Sequence, residues 1–331
     1  MPVLDIPALI ADRTTAIREL HTRLGCPRAE LDLSGGVDSA VLLGLLAQAL
    51  GPEHITTVFS SIHSSTDSRD RARAAAEAFH VPLVEIDLTP LFDDLIVRMR
   101  AALISAGHDP STLDERIQRD PTIIGSIRSC IRAPIGRGFN RMTGGGLRHG
   151  TGNECEDRWL RFFQKGGDGE VDTNPIAMLS KGEVYQLAKG LGVPRSIVDA
   201  LPSPDLHGVG EAHNDEAELL ALSGVAWTYS RIDWETGAYT KVGTIELLSR
   251  FLDLHPELFA AEAPSEAQWR ALADAGEDRF RMPAAAVLPF LVSARKLEAG
   301  TRHKANPNCP SLGERSALLS AGVLSDQLPA L

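Results

Sequence analysis

Apolar residues in the first thirty positions fall at three- and four-residue steps, Ile6, Leu9, Ile10, Ile17, Leu20 and Leu24, which predicts an amphipathic helix packed on a sheet. The period then shortens. Leu31-Asp32-Leu33 reads as the end of a strand, and the apolar run Ala40 to Leu46 as a helix beginning near Ser39. A strand at Ile55 to Ser60, an alanine-rich helix through Arg71 to Phe79, a strand at Leu83 to Asp87 and a helix from about Leu91 follow. Strands separated by helices of this length call for right-handed βαβ crossovers and a doubly wound parallel sheet, an α/β fold with helices on both faces. The stretch Arg128 to His149, rich in Gly and Arg, reads as loops flanking a weak strand. Helical pieces are expected around Ala217, Ile245 to Leu252, Ala267 to Ala275 and Ser316 to Leu324, with no internal repeat.

Composition narrows the classes. With 331 residues and 43% hydrophobic content the chain can bury one large core or two modest ones. A net charge of -11 argues against a general nucleic-acid binder, which needs a basic surface. Cys26, Cys130, Cys155 and Cys309 are scattered, without a C-x-x-C pair or an early signal sequence, so the cytoplasm is the expected compartment and zinc has no spacing to support it. No apolar run approaches the roughly 20 residues of a membrane span.

The most constrained chemistry lies between the first strand and its helix, in Ser34-Gly35-Gly36-Val37-Asp38-Ser39. Adjacent glycines bring the backbone close to an anion, and the first helical N–H groups point at phosphate oxygens. Ser34 and Ser39 add hydroxyl donors. Asp38 would repel a phosphate unless a cation lies between, and Mg²⁺, which favours oxygen ligands, is the natural bridge. The loop lacks the lysine of a Walker A motif. It resembles the pyrophosphate loop of the ATP pyrophosphatases, adenylating enzymes that cleave ATP between its α and β phosphates.

Residues 149 to 206 hold a second set of signals: His149-Gly-Thr151-Gly-Asn-Glu-Cys-Glu156, then Lys165-Gly-Gly-Asp168-Gly-Glu170-Val-Asp172-Thr-Asn-Pro-Ile, then Leu-Ser-Lys181, then Pro-Ser203-Pro-Asp-Leu. Singly each has an ordinary alternative. Glu154, Glu156 and Asp157 suit any helix N-terminus, the glycines any turn, and Lys181 a solvated helix face. In order, they closely resemble NAD synthetase, across roughly residues 10 to 235, with His303-Lys304 and Pro307 similar to that family's closing segment.

The resemblance implies that Ser34, Gly35, Gly36, Asp38 and Ser39 hold pyrophosphate, that Asp38 and Glu156 bind Mg²⁺, and that Thr151 lies on the ATP side. Lys181 and Ser203 would contact phosphates, with Lys165 and Arg132 in the nucleotide-binding set, although the Asn-x-x-x-Arg-x-Arg pattern around Arg132 is broken. Asp172 would sit beside the carboxylate being amidated and the incoming ammonia, and His303 and Lys304 would close the site. Asp172, Lys181 and Lys304 form the expected catalytic set. The implied reaction is adenylation of the nicotinate carboxylate of deamido-NAD by ATP, then amidation by free ammonia, in a cytoplasmic homodimer. The length leaves no room for a nitrilase-like glutaminase domain.

Four departures bear on the acyl substrate, one of them an extension over residues 311–331 past the family's usual end. Gly144 to His149 stands where an apolar strand is usual, Glu170-Val171 replaces smaller residues, and residues 236 to 298 read as an insertion. The expected organisation is an ATP pyrophosphatase domain over 1–235, a helical insertion over 236–298 and a closing segment with extension over 299–331. A related amide synthetase acting on another carboxylate, or a non-catalytic nucleotide binder, is the alternative; the joint presence of Asp38, Glu156, Asp172 and Lys181 disfavours the latter.

Overall fold

The computed structural model describes residues 3–120, 122–202, 214–305 and 313–327. The chain opens with α1 (Ile6–Leu24), capped by the Asp5 carboxylate and ended by Gly25 in the left-handed region. Then come β1 (Ala29–Asp32), α2 (Val37–Leu50), β2 (Ile55–Ser61), α3 (Thr66–Ala78), β3 (Leu83–Asp87), α4 (Thr89–Ser105), α5 (Pro110–Arg119), α6 (Thr122–Met142) and β4 (Leu147–His149). The four strands pair in parallel in the order β3-β2-β1-β4. From β1 the chain winds outward to β3, then returns to place β4 on the other flank of β1. That reversal opens a crevice beyond the carboxyl ends of β1 and β4, the position at which such sheets bind ligands.

Alternation along β1 sets the two faces of the sheet. Ala29, Leu31 and Leu33 join the main core with α1, α2 and the later helix α8 (Lys181–Leu191). On the opposite face, Ile62, Leu88 and Phe92 pack with Ile124, Ile127, Ile131 and Ile135 of α6. The doubly wound α/β reading therefore holds. The expected loops over Arg128 to His149 do not: most of that stretch is the 21-residue helix α6. Its glycines and arginines mask an isoleucine row at helical spacing, and Gly136 serves close packing, since a Cβ there would lie 2.1 Å from Arg148 Nη1 and 2.9 Å from Glu30 Oε1.

Beyond β4 lie α7 (Glu154–Asp157), α8, α9 (Arg195–Val198), α10 (Asp215–Ser223), the short antiparallel pair β5 (Arg231–Ile232) and β6 (Tyr239–Lys241), α11 (Thr244–Leu252), α12 (Glu266–Phe280), α13 (Ala284–Thr301) and α14 (Arg315–Ser320). Helix α13, interrupted in sequence by Pro289, was not expected from the apolar pattern. Helices α11, α12 and α13 build a second core that also takes in Trp159, Leu160, Leu219, Trp227 and Tyr229. The segment 236–298 thus shares its hydrophobic interior with residues on both sides of the site. No helix among the described residues is long and apolar enough to cross a membrane.

Candidate active site

A cavity of about 670 Å³ opens at the crevice. Its wall includes Ser34, Gly35, Gly36 and Asp38, delivered by β1 and the first turn of α2. Helix α2 starts with no side-chain cap, so its first N–H groups remain available to an anion. Gly35 has φ 83°, and a Cβ there would lie 2.3 Å from the Ser68 carbonyl oxygen. Arg71 Nε donates to the Gly35 carbonyl at 3.1 Å, fixing the loop from α3. Ser39 is buried behind the loop, where its hydroxyl donates to the Gly36 carbonyl at 2.9 Å and lies 3.2 Å from Ser34 Oγ; it braces the loop rather than lining the cavity.

The loop meets the second half of the site at a buried lysine. Helix α8 begins in a capping box of Ser180 and Glu183, which points its first residue, Lys181, inward. Lys181 Nζ donates to Asp38 Oδ2 at 2.5 Å and to Glu156 Oε1 at 3.0 Å, and is only 2% exposed. Asn153, the cap of α7, donates from Nδ2 to Asp38 Oδ1 at 2.9 Å. Burial pulls Lys181 toward neutrality, but Asp38 and Glu156 outweigh it and hold the ammonium well above its usual range. Glu156 is itself raised, by burial and then by Asp38, with Lys181 opposing. Burial and Glu156 also raise Asp157, and raise Asp215 to about 7.

One ammonium therefore faces a surplus of acids. Asp38 and Glu156 converge from two elements on a single point, a donor set suited to a hard cation that completes its shell with substrate phosphates and water. Among the described residues no group of three or more His, Cys, Asp or Glu forms a metal site complete in itself.

Farther along the wall, Thr151, Arg132, Asp168 and Lys304 also line the cavity. Arg132 Nε donates to the Ser60 carbonyl at 3.1 Å. The Asp168 carboxylate accepts from Ser129 Oγ and from the Gln164 amide, each at 2.8 Å. Lys304 Nζ donates to the carbonyls of Phe163 at 2.6 Å and Arg161 at 3.2 Å. Its half-buried ammonium is lowered by desolvation, against the pull of Asp168.

Lys165, His303 and Asp172 are not brought to this wall. Asp172, 37% exposed, accepts from the Arg148 backbone amide at 2.7 Å and lies 3.8 Å from Arg137. Ser203 and Pro307 lie outside the described residues. Sequence reasoning missed Asp32, Arg71 and Asp215 as lining groups and passed over Asp168 in favour of Asp172. Asp168 sat in the same glycine loop, so only the direction of the chain there decided between them.

The unusual Arg148-His149 pair is neither frayed nor exposed. Both belong to β4, register with Glu30 and Leu31 of β1, and are 2% exposed. Arg148 Nη1 donates to both Glu30 oxygens at 2.7 and 3.0 Å, Nη2 to Asp32, and Nε to the Glu170 carbonyl at 3.0 Å. His149 Nε2 lies 3.0 Å from His21 Nε2, and burial, with His21 adding to it, lowers His149 to about 3.

The NAD synthase family profile matches residues 9–233. The NH(3)-dependent NAD(+) synthetase of Aeropyrum pernix is 32% identical over 231 residues, covering 67% of this chain and 74% of that protein. The enzyme of the same name from Alkaliphilus oremlandii is 30% identical over 203 residues, 61% of this chain and 76% of its own. In fold, the chain is similar to the NMN synthetase of Francisella tularensis, with a TM-score of 0.63 at 18% identity over 92% of this chain and 97% of that one. The NAD+ synthetase of Burkholderia pseudomallei gives a TM-score of 0.53 at 21% identity over 92% and 91%. With its pyrophosphate-type loop and the matched profile spanning both halves of the crevice, this chain belongs to the NAD synthase family of ligases.

Proposed function

We infer that the protein is an ammonia-dependent NAD synthetase, which joins ammonia to the nicotinate carboxylate of deamido-NAD at the expense of ATP. The observation that carries this reading is the Asp38–Lys181–Glu156 cluster set beside the free N-terminus of α2. A carboxylate does not react with ammonia at useful rates because oxide is a poor leaving group. Its oxygen therefore attacks the α phosphorus of ATP, pyrophosphate departs, and the acyl-AMP then loses AMP as ammonia attacks the acyl carbon.

The α2 N-terminus and the Ser34 hydroxyl bind the departing pyrophosphate. Lys181 offers a positive charge in a water-poor pocket, where it stabilises charge growing on the phosphates. Asp38 and Glu156 would hold Mg²⁺, which supplies charge neutralisation to the triphosphate. Lys304, anchored on Phe163 and Arg161, closes the far wall against water. Asp172, beside Arg137, is assigned to the outer, acyl-substrate end.

A homodimer belongs to this reading. Helix α4 buries only Phe92 and exposes Leu91, Val97, Met99 and Leu103, an apolar surface that a second copy would cover. A second reading takes nicotinate mononucleotide as the acid, favoured by the fold likeness to the Francisella protein over nearly the whole of both chains. Acid-dependent exchange of labelled pyrophosphate into ATP, measured with each acid and no ammonia, separates the two. Exchange with deamido-NAD supports the first, exchange with the mononucleotide alone the second, and exchange with neither contradicts both.

A further inference from the structure

The buried lysine of the site rides on the first turn of α8, so whatever fixes that turn fixes the ammonium. Lys181 follows the cap residue Ser180 directly. On one side the turn rests on α7, where the Lys181 amide donates to Cys155 Sγ at 3.4 Å. On another it meets α14, near the end of the chain. Arg315 Nη1 donates to Glu183 Oε2 at 2.7 Å, and the same oxygen accepts from the Ser180 amide at 2.8 Å to complete the capping box. The guanidinium thus holds the oxygen that closes the box. Glu183 is fully buried and Arg315 nearly so.

A capping box closes with a neutral Gln as well as with Glu, so the box by itself does not call for a buried cation. Here the acid has a second one for a neighbour, Glu246 of α11, which accepts from Ser230 Oγ and from Tyr239 Oη. Desolvation works against the charge on Arg315, but Glu183, then Glu246 and Asp326, outweigh it. The turn also has no slack toward β6, since a Cβ on Gly182 would lie 2.0 Å from Tyr239 Oη. The segment carrying Arg315 is itself anchored. Arg315 Nη2 donates to the Ser325 carbonyl at 3.3 Å, Leu318 and Leu324 join the main core with Val184 and Leu187 of α8, and Val3 pairs with Leu324. The matched family profile ends at residue 233. Lys181 lies within it, and the arginine behind Lys181 does not.

We propose that Arg315 is a positioning residue: through Glu183 it fixes the first turn of α8, and with it the place of the Lys181 ammonium beside Asp38 and Glu156. The extension past residue 311 is then part of the support of the active site. This rests on the role given to Lys181 in the functional reading above.

The test uses the full chain with ATP, Mg²⁺ and each acid, comparing wild type with Arg315→Met, Arg315→Lys and Leu318→Ala, all assayed below their thermal midpoints. Leu318→Ala loosens the same helix through the core without removing the bond to Glu183, and so measures a merely structural loss. In acid-dependent pyrophosphate exchange, Arg315→Met should lower kcat by about 10- to 10²-fold, the scale of a misplaced catalytic group, with KM for ATP changed less than about threefold. Arg315→Lys, which keeps a charged donor for Glu183, should recover part of that loss, and Leu318→Ala should keep kcat within about twofold. Wild-type kcat in Arg315→Met, or an equal fall in Leu318→Ala, would overturn the proposal. Should Arg315→Met not fold, Arg315→Met combined with Glu183→Leu, which strands neither charge, takes its place: kcat should fall as far, and wild-type kcat would overturn the proposal. Absence of exchange with either acid in the wild type would instead remove the functional reading. Positioning is then read on Lys181 itself, by its rate of acetylation with acetic anhydride in the ligand-free protein. A rate at least about tenfold faster in Arg315→Met than in Leu318→Ala, as for an ammonium released from its carboxylates, supports the proposal, and equal rates overturn it.

Discussion

Two buried charge clusters flank β1, and they are built on opposite logic. Beside the pyrophosphate loop, Asp38, Glu156 and Lys181 come from three separate elements and face an open cavity. Across the sheet, Glu30, Asp32 and Arg148 come from two adjacent strands, with Glu30 and Arg148 packed beneath Gly136 of α6 and Asp32 at the edge of the cavity. In the proposed function, the first cluster is a site whose charges wait for a ligand. The second is a structural tie that holds the two strand exits and the Glu170 carbonyl in fixed relation, with one oxygen left over. Buried charge alone therefore does not mark catalysis; what separates the two is whether substrate completes the charge balance.

Substitutions that unbalance the first cluster should act mainly on chemistry. Asp38→Asn is expected to lower pyrophosphate release by on the order of 10² to 10³-fold, as for loss of a preorganised electrostatic partner, with little change in thermal midpoint. Stopped-time assays of labelled ATP, beside a melting curve, check this; wild-type turnover would break the assignment. Lys181→Met should lose comparable activity, and should also leave Asp38 and Glu156 facing one another without their cation.

The second cluster should act mainly on stability. Arg148→Met strands Glu30 in the interior and is expected to cost about 3 to 5 kcal/mol in urea denaturation, the usual penalty for removing one partner of a buried pair. Adding Glu30→Leu should recover part of that loss. A purely catalytic defect without destabilisation would erase the distinction between the clusters. Gly136→Ala, which drives a methyl against the same guanidinium, should cost about 1 to 3 kcal/mol.

The smallest effect is in pH. Burial, then Asp32, raises Glu30 to about 7 against a usual 4.5, with Arg148 opposing. Between those values the folded protein holds a proton that the unfolded chain has released. Stability from this group is thus full below about pH 4.5 and is lost as pH rises through 7, at up to about 1.4 kcal/mol per unit. Denaturation of wild type and Glu30→Gln at pH 5 and 7.5 isolates it: the wild type should lose stability relative to the variant as pH rises.

How legible each region was in sequence follows from the same contrast. The Rossmann-like order and the glycine loop were readable because spacing along the chain is tied to phosphate chemistry, and Asp38, Glu156 and Lys181 were each singled out, but the contact of Lys181 with both carboxylates was not. Helix α6 was hidden because its glycines and arginines serve neighbours that only the fold supplies: Gly136 makes room for Arg148, and Arg132 reaches back to Ser60. Arg148 read as a departure because its partners lie 116 and 118 residues away on β1. That Asp168 rather than Asp172 lines this cavity was not legible, because four residues of glycine loop decide which carboxylate faces it and no periodicity governs a loop. The second core was half visible: α11 and α12 carry clear apolar periods, while Trp159 and Trp227, which join it to the site, sit in irregular chain.

The central claim, that this crevice activates a nicotinate carboxylate by transferring AMP to it, is tested most directly with an ¹⁸O-labelled carboxylate. The protein is incubated with ATP, Mg²⁺, ammonium and labelled deamido-NAD or nicotinate mononucleotide, and the nucleotides are read by mass spectrometry. The account predicts one ¹⁸O atom in AMP for each amide formed, with unlabelled pyrophosphate. Label in inorganic phosphate beside ADP, or AMP free of label, would contradict it.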